Sequence, residues 1–244
     1  MNQSTIIVSP VHRSKDYAMN RFIQNVATIR GAEMIVLVDT TKDGYINELW
    51  DMARATGQVD RFAILEIDQV SKIICDNITA AMNKAREFVL NLSPEIGYDM
   101  MCIECDLFPP DYTIDRLQQH GKKVVGFPYF VGWGIRSLLC INHVRTRMIT
   151  LDRLCCINTV VNPFDSFFLM NGKLIKVHGM GLGCTLISNE VLKQIPFMNL
   201  GNAAHDTFFY EDLFKNQVEV FCDTSMIIEH DNKKWNHYSN IFKS

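Results

Sequence analysis

Residues 98–110 read Tyr-Asp-Met-Met-Cys-Ile-Glu-Cys-Asp-Leu-Phe-Pro-Pro, an apolar run that ends in two carboxylates and is closed by two prolines. The run predicts a strand buried on both faces, as in parallel sheets. Residues i and i+2 of an extended chain point to the same side, so Glu104 and Asp106 direct two carboxylates to one place. Such oxygen ligands suit a hard divalent cation. At the carboxyl end of a strand, where open α/β sheets bind ligands, the pair predicts a metal site that holds a diphosphate. An ordinary solvated turn is the alternative explanation.

Strand-like and helix-like segments alternate on both sides of this run. The expected strands are 5–9, 33–38, 62–67, 100–104, 123–127, 173–177, 184–187 and 218–222. The expected helices are 16–31, 46–56, 77–92, 188–194 and 211–217. Pro10 is expected to stop the first strand, since proline cannot donate to a strand ladder. The alternation predicts an α/β fold with a mostly parallel central sheet flanked by helices.

Composition narrows the class of protein. A chain of 244 residues suits one α/β domain, and 48% hydrophobic residues are ordinary for a globular protein. The net charge of −3 provides no overall basic surface for nucleic acid. The eight cysteines form no small-domain disulfide pattern, and Cys102 and Cys105 would point to opposite faces of a strand. No apolar run is long enough for a membrane span, and the first residues do not read as a signal peptide, so a cytoplasmic protein is expected.

The first half of the chain resembles inverting glycosyltransferases with the GT-A fold, especially family-2-like enzymes. Residues 6–13 resemble the first strand and the nucleotide-contacting loop of that family. Residues 34–39 resemble its second strand, whose terminal aspartate contacts the base, and residues 77–86 fall where a helix lies beneath the donor. Glu104-Cys105-Asp106 stands at the Asp-x-Asp metal motif, with the longer Glu104 at the first position.

The second half carries the other motifs of this resemblance. Residues 178–187 resemble the glycine-rich segment on the acceptor side. His205-Asp206 stands at the family's Glu-Asp motif, whose aspartate is the catalytic base, although His205 replaces the glutamate. His230 follows 24 residues after Asp206, where a histidine completes the metal site in the family.

The resemblance implies a set of site residues. It makes Asp206 the catalytic base and Glu104, Asp106 and His230 the ligands of Mn²⁺ or Mg²⁺. The implied donor-binding residues are Pro10, His12, Arg13, Asp39, Asn83, Lys84, Glu104, Cys105, Gly181 and Lys233.

Several of these residues have simpler explanations. Asp39 could close an Asx turn, Arg13 could form a surface ion pair, and Asp206 could be a helix N-cap. His230 could be a solvated turn residue. Asp212 is the second candidate for the base.

The expected function is that of a metal-dependent inverting glycosyltransferase in a single GT-A-like domain. Residues 1–110 would bind a nucleotide-diphosphate sugar, preferably UDP-linked, and residues 111–244 would bind the acceptor and catalyse transfer. The acceptor hydroxyl would belong to a carbohydrate, a modified nucleic acid or a protein. A nucleotidyltransferase is one alternative, but the loop at 10–15 is only weakly basic and lacks the glycines that would grip a triphosphate. A non-catalytic nucleotide-sugar or carbohydrate-binding relative is the other.

Overall fold

The structure is a computed structural model that describes residues 4–133, 136–139, 141–142, 147–150, 153–156, 172–200 and 205–231. The strands are β1 (Thr5–Val11), β2 (Ala32–Asp39), β3 (Phe62–Glu66), β4 (Asp99–Ile103), β5 (Leu107–Phe108), β6 (Val124–Gly126), β7 (Phe130–Trp133), β8 (Arg136–Leu139), β9 (Ile141–Asn142), β10 (Arg147–Thr150), β11 (Arg153–Cys156), β12 (Leu174–Val177), β13 (Gly179–Met180), β14 (Cys184–Ile187), β15 (Val220–Asp223) and β16 (Glu229–His230). The α-helices are α1 (Asp16–Thr28), α2 (Tyr45–Ala55), α3 (Ile74–Leu92), α4 (Thr113–Gln118), α5 (Asn189–Gln194) and α6 (His205–Lys215).

Eight strands form one central sheet in the order β12-β15-β6-β14-β4-β1-β2-β3. β1 is parallel to both β2 and β4, and β2 is parallel to β3. β14 runs antiparallel to β4 and β6, and β12 runs antiparallel to β15. The mostly parallel sheet predicted from the sequence is therefore confirmed.

Helices cover both faces of the sheet. In β1, Ile7 belongs to the core cluster that contains Phe22 of α1, whereas Ile6 and Val8 belong to the cluster that contains Val89 of α3. All five side chains are almost completely buried. This division follows from the alternation of side chains along a strand. It also explains why the strands are apolar throughout, because neither face meets water.

Pro10 does not stop β1, contrary to the sequence expectation. The strand continues to Val11, and Pro10 is paired with Val38 of β2. The pairing of β1 with β4 ends earlier, at Val8 and Cys102. Beyond Val8 the strand has a partner on one side only, so a residue without an N–H is tolerated there.

The helix expected at 211–217 is longer at its start and shorter at its end. It begins at His205 and ends at Lys215, and Gln217 then adopts a left-handed φ of 58°. Asp206 therefore lies in the first turn of α6 rather than in a preceding loop.

The carboxyl ends of β1, β2 and β4 meet at one edge of the sheet, because these strands are parallel neighbours. The predicted site residues lie at these ends. Pro10 is the last residue but one of β1 and Asp39 is the last residue of β2, whereas His12 and Arg13 follow β1 and the pair Glu104 and Asp106 follows β4. Within the described ranges, no helix has the length and apolar character needed to cross a membrane.

Candidate active site

The segment after β4 holds the two acidic residues in a fixed turn. The backbone N–H of Glu104 donates to the carbonyl of Gly183 at 2.9 Å, and Leu107 N–H donates to the carbonyl of Glu104 at 3.0 Å. The short ladder between β5 and β16 then pairs Leu107 with His230. A further hydrogen bond from Asp231 N–H to the carbonyl of Asp106, at 2.9 Å, fixes this register. His230 is thereby carried from a distant part of the chain to the acidic pair.

Glu104, Asp106 and His230 form one compact group. One ligand atom from each residue lies within 4.8 Å of the other two. His230 Nε2 is 3.3 Å from Oδ2 of Asp106, and both side chains are at least 99% buried. Two carboxylates and an imidazole form a donor set that is consistent with a divalent cation, and the imidazole favours a transition metal over Ca²⁺. The structure thus brings the three predicted ligands together, and their role as ligands stays a prediction.

A lysine and a tyrosine join this group, and the sequence reasoning missed both. Lys15 Nζ lies 2.6 Å from Oδ2 of Asp106. The hydroxyl of Tyr17 donates to the backbone carbonyl of Asp231 at 3.1 Å and lies 3.4 Å from the same Oδ2. The available signal was topological, since both residues follow β1, whose carboxyl end lies beside that of β4.

The charge state of Asp106 follows from these neighbours. Burial alone would raise the pKa of its carboxyl, but the close contact with His230 and the charge of Lys15 together lower this pKa well below its usual range. Asp106 is consequently an anion at neutral pH.

Gly183 lies against Glu104. A Cβ atom on Gly183 would lie 2.9 Å from Cδ of Glu104 and 2.8 Å from the hydroxyl of Tyr129, closer than real Cβ contacts allow. The Tyr129 hydroxyl accepts a hydrogen bond from Gly183 N–H at 3.2 Å and donates to Glu104 Oε1 at 3.4 Å. A glycine at 183 therefore lets the segment before β14 approach the acidic pair. Gly181, the glycine singled out from the sequence, instead accepts a hydrogen bond from Thr185 through its carbonyl, and its donor contact stays a prediction.

Asp206 lies in the first turn of α6. Its Oδ1 accepts a hydrogen bond from the backbone N–H of Thr207 at 2.7 Å. The carboxylate keeps some solvent exposure, yet protein atoms surround it densely, and this burial raises its pKa to about 6. A base with a pKa near the working pH is well suited to accept a proton from an acceptor hydroxyl.

His205 is the first residue of α6 and lies within electrostatic range of Glu104. Burial lowers the pKa of His205 to about 4, although the negative charge of Glu104 acts in the opposite direction. The imidazole ring of His205 is therefore neutral at pH 7. Asp212, the second candidate for the base, is instead paired with Lys215 on α6 at 2.9 Å.

Comparisons with known proteins identify the fold. No protein-family model matches the chain, and neither does any curated protein. Among solved structures, the mannosyltransferase PcManGT from Pyrobaculum calidifontis, in complex with GDP-Man and Mn²⁺, aligns over 99% of this chain with a TM-score of 0.62 and 11% identity. S. aureus TarS 1-349 aligns over 93% with a TM-score of 0.55 and 12% identity, and its complex with UDP-GlcNAc aligns with a TM-score of 0.54. The chain has a GT-A-like glycosyltransferase fold.

The matched structures are longer than this chain. The alignments cover 61% of the mannosyltransferase and 59% of TarS 1-349, so the chain spans about three fifths of their length. At this level of identity the likeness establishes the GT-A-like fold, and activity is inferred below from the site.

On the nucleotide side of this GT-A-like fold, the predicted residues are held by local contacts. Asp39 is buried and accepts hydrogen bonds from the backbone N–H and hydroxyl of Thr41, at 2.9 and 2.6 Å, and from Lys42 N–H at 3.3 Å. This is the Asx turn considered from the sequence. Arg13 forms the ion pairs also considered there, with Asp43 at 2.7 Å and Glu48 at 2.8 Å. Contacts of Asp39 and Arg13 with a nucleotide stay predictions.

The remaining residues of the predicted donor site differ in their surroundings. His12 Nδ1 accepts a hydrogen bond from Ser14 N–H at 3.0 Å and caps a short 3-10 turn. Both ends of the Asn83 amide bind the backbone of Phe197, at 2.7 and 2.9 Å, and Lys84 pairs with Asp68. These contacts give Asn83 a structural role. Lys233 lies outside the described residues.

Cys105, another of the predicted donor-binding residues, is buried, and its donor contact stays a prediction. Its side chain is 4% exposed and packs in the core cluster with Phe22. Burial raises the pKa of the thiol to about 12, even though the backbone N–H of His12 donates a hydrogen bond to it. The thiol therefore packs with core residues, whereas Asp106 beside it contacts Lys15 and His230.

Proposed function

We propose that this chain is a metal-dependent inverting glycosyltransferase that moves a sugar from a nucleotide-diphosphate sugar to an acceptor hydroxyl. The observation that carries the proposal is the group Glu104, Asp106 and His230 at the carboxyl end of β4 in a GT-A-like sheet. Support comes from the structural neighbours, of which one was solved with GDP-Man and Mn²⁺ and another with UDP-GlcNAc.

Glu104, Asp106 and His230 are the residues that would hold Mn²⁺ or Mg²⁺. When bound, such a cation supplies a Lewis acid that stabilises the negative charge on the departing nucleoside diphosphate. The compact donor set fits such a cation because it offers two anionic oxygens from a fixed turn and one nitrogen from β16, which is paired with β5. We keep UDP as the preferred nucleotide, with GDP as the alternative that the mannosyltransferase neighbour suggests.

Asp206 is the proposed general base. It would accept the proton of the acceptor hydroxyl while that oxygen attacks the anomeric carbon, on the face opposite to the leaving diphosphate. The pKa of about 6 keeps Asp206 ionised at pH 7 yet basic enough to assist. One base without a carboxylate nucleophile corresponds to a single displacement, which inverts the anomeric configuration. The transition state is expected to have oxocarbenium character, as in glycoside hydrolysis.

Calorimetric titration with UDP, GDP and CDP, with and without Mn²⁺, tests the proposal. The wild type should bind one of these nucleotides only when Mn²⁺ is present. His230→Asn should weaken this binding by about tenfold or more, as losses around metal sites typically do. The matched control is His120→Asn, which removes the histidine of a partly buried pair, with Asp223 at 2.7 Å, and should leave nucleotide binding unchanged.

Three outcomes would contradict the proposal in different ways. If none of the nucleotides bound, the acidic pair would be a structural turn. If a nucleotide bound but the corresponding nucleotide sugars were never turned over with any acceptor, the chain would be a non-catalytic binding relative. Cleavage of a nucleoside triphosphate with release of pyrophosphate would instead indicate a nucleotidyltransferase.

A further inference from the structure

Lys15 makes an ion pair with the carboxylate that the proposed function assigns to the metal. Its Nζ lies 2.6 Å from Oδ2 of Asp106, and His230 Nε2 lies 3.3 Å from the same oxygen. The side chain of Lys15 is 22% exposed, whereas that of Asp106 is completely buried. The lysine backbone is held in place, since its N–H donates to the carbonyl of His12 at 2.8 Å. The ammonium group therefore contacts a fully buried carboxylate, while part of the lysine side chain stays exposed.

The ammonium is positively charged in this position. A lysine side chain 2.6 Å from a buried carboxylate keeps its proton at neutral pH, because the ion pair favours the charged form. A divalent cation bound to Asp106 would place two further positive charges beside this ammonium. Like charges at such short range repel strongly in a partly buried site. A lysine can respond to that repulsion, because its ammonium sits on a flexible four-carbon stem.

We propose that Lys15 and the divalent cation compete for Asp106, and that the ammonium displaced by the cation binds the diphosphate of the donor. This inference rests on the proposed function and assigns Lys15 a role in the same site. Lys15 would then be a counter-ion of the acidic pair before the metal enters and a ligand of the phosphate oxygens afterwards.

The net charge of the site explains why displacement of Lys15 by the cation would strengthen binding of the donor diphosphate. With the imidazole of His230 in the neutral form that binds a metal, two carboxylates and one ammonium give the site a single net negative charge before the metal binds. A divalent cation turns this into a net positive charge, which the diphosphate can neutralise. Without Lys15, the metal-loaded site would only be neutral, so the attraction for the diphosphate would be weaker. Metal and donor binding are thereby coupled through one side chain.

The test compares Mn²⁺ binding and nucleotide binding in wild type and Lys15→Met. Electron paramagnetic resonance of free Mn²⁺ measures the affinity for the metal alone, and calorimetry at saturating Mn²⁺ measures the affinity for the nucleoside diphosphate. Removal of the competing charge should tighten Mn²⁺ binding by at least about tenfold. Loss of a charged phosphate ligand should weaken nucleotide binding by at least about tenfold. A purely structural defect would weaken both.

Two further variants make the test specific. Lys176→Met removes the lysine of an exposed ion pair with Glu219, at 2.7 Å on the edge strand β12, and should change neither affinity. Lys15→Arg retains the charge and should keep Mn²⁺ affinity close to that of wild type while partly restoring nucleotide binding. If Lys15→Met melted early, Lys15→Gln would be measured in its place.

The failure of this inference is distinguishable from that of the proposed function. If wild type bound Mn²⁺ and a nucleotide, but Lys15→Met altered neither affinity or weakened both, the exchange would be wrong and the glycosyltransferase proposal would stand. If wild type bound neither Mn²⁺ nor any nucleoside diphosphate, both would be wrong.

Discussion

Two regions along the carboxyl edge of the sheet hold their charged residues in different ways. Beyond β1 and β2, Asp39 is bound by residues two and three positions away, and Arg13 forms ion pairs whose side chains are 39–49% exposed. Beyond β4, Asp106 is fully buried and binds Lys15, which is 91 positions away, and His230 from β16. Both regions follow strands of the same parallel set.

The difference separates contacts that build turns from contacts that build a site. Hydrogen bonds like those of Asp39 are ordinary turn chemistry and require no ligand. A buried ionic group, by contrast, loses the hydration of every charge, and hydrophobic replacements are often at least as stable. Clusters of this kind with perturbed pKa values are found preferentially at functional sites. We therefore expect changes in the β4 region to have the larger effects on function and stability.

The largest effect is expected from Asp206→Asn at the start of α6. Loss of a general base typically slows a reaction by about 10²- to 10⁴-fold, so transfer should fall by that amount while nucleotide binding stays near wild type. Single-turnover rates and calorimetry measure the two quantities. Asp212→Asn, which changes a carboxylate of the same helix that is paired with Lys215, is the control and should retain activity. Equal losses of transfer and binding in Asp206→Asn would contradict its role as base.

The second prediction concerns the stability that Asp106 contributes. Removing one partner of a buried ion pair leaves the other charge unpaired and costs about 3–5 kcal/mol; because Lys15 keeps some exposure, Asp106→Ala should lie near the lower limit. Urea unfolding measures the change. Asp68→Ala, which removes the exposed partner of Lys84, should be clearly less destabilising. Equal destabilisation by the two variants would remove the energetic distinction between buried and exposed pairs.

The contrast between the regions also explains what the sequence could predict. The strand positions and the parallel sheet follow from local patterns of apolar residues, and β14 was predicted with its observed bounds, Cys184–Ile187. The Asx turn of Asp39 and the surface ion pair of Arg13 could also be anticipated from the sequence, because such contacts are common for these residue types at these positions. Glu104 and Asp106 were paired on the expectation that they share one side of a strand. The structure ends β4 at Ile103 and brings the two residues together in the turn that follows.

The contacts that the sequence could not predict depend on the order of strands in the sheet. Lys15 reaches Asp106 only because β1 lies beside β4, which no local pattern of residues encodes. The proximity of Gly183 to Glu104 depends similarly on β14 being inserted antiparallel beside β4. His230 was assigned through resemblance, and its position depends on the two-residue ladder with β5.

The third prediction is a pH dependence that originates at Asp206. Burial raises the pKa of this carboxyl to about 6 in the folded protein, and the base must be deprotonated to act. Transfer should therefore be maximal above pH 6 and fall by about tenfold per pH unit below it, when chemistry limits the rate. Single-turnover rates should be measured between pH 4.5 and 8. This range extends about 1.5–2 pH units to either side of the expected inflection. An inflection near the ordinary aspartate value would mean that Asp206 is solvated in the working enzyme.

The smallest effect is expected from Arg13→Ala, in the region beyond β1 and β2. Its ion pairs with Asp43 and Glu48 are partly exposed, and the guanidinium lies 4.6 Å from the ring centre of Tyr45. Exposed ion pairs contribute little because water and salt screen them, so urea unfolding should show a loss less than half that of Asp106→Ala. Calorimetry then decides between the two interpretations of Arg13. Unchanged nucleotide binding would leave Arg13 as a surface ion pair, whereas a loss of nucleotide binding with stability retained would show that the residue exchanges its carboxylate partners for the donor.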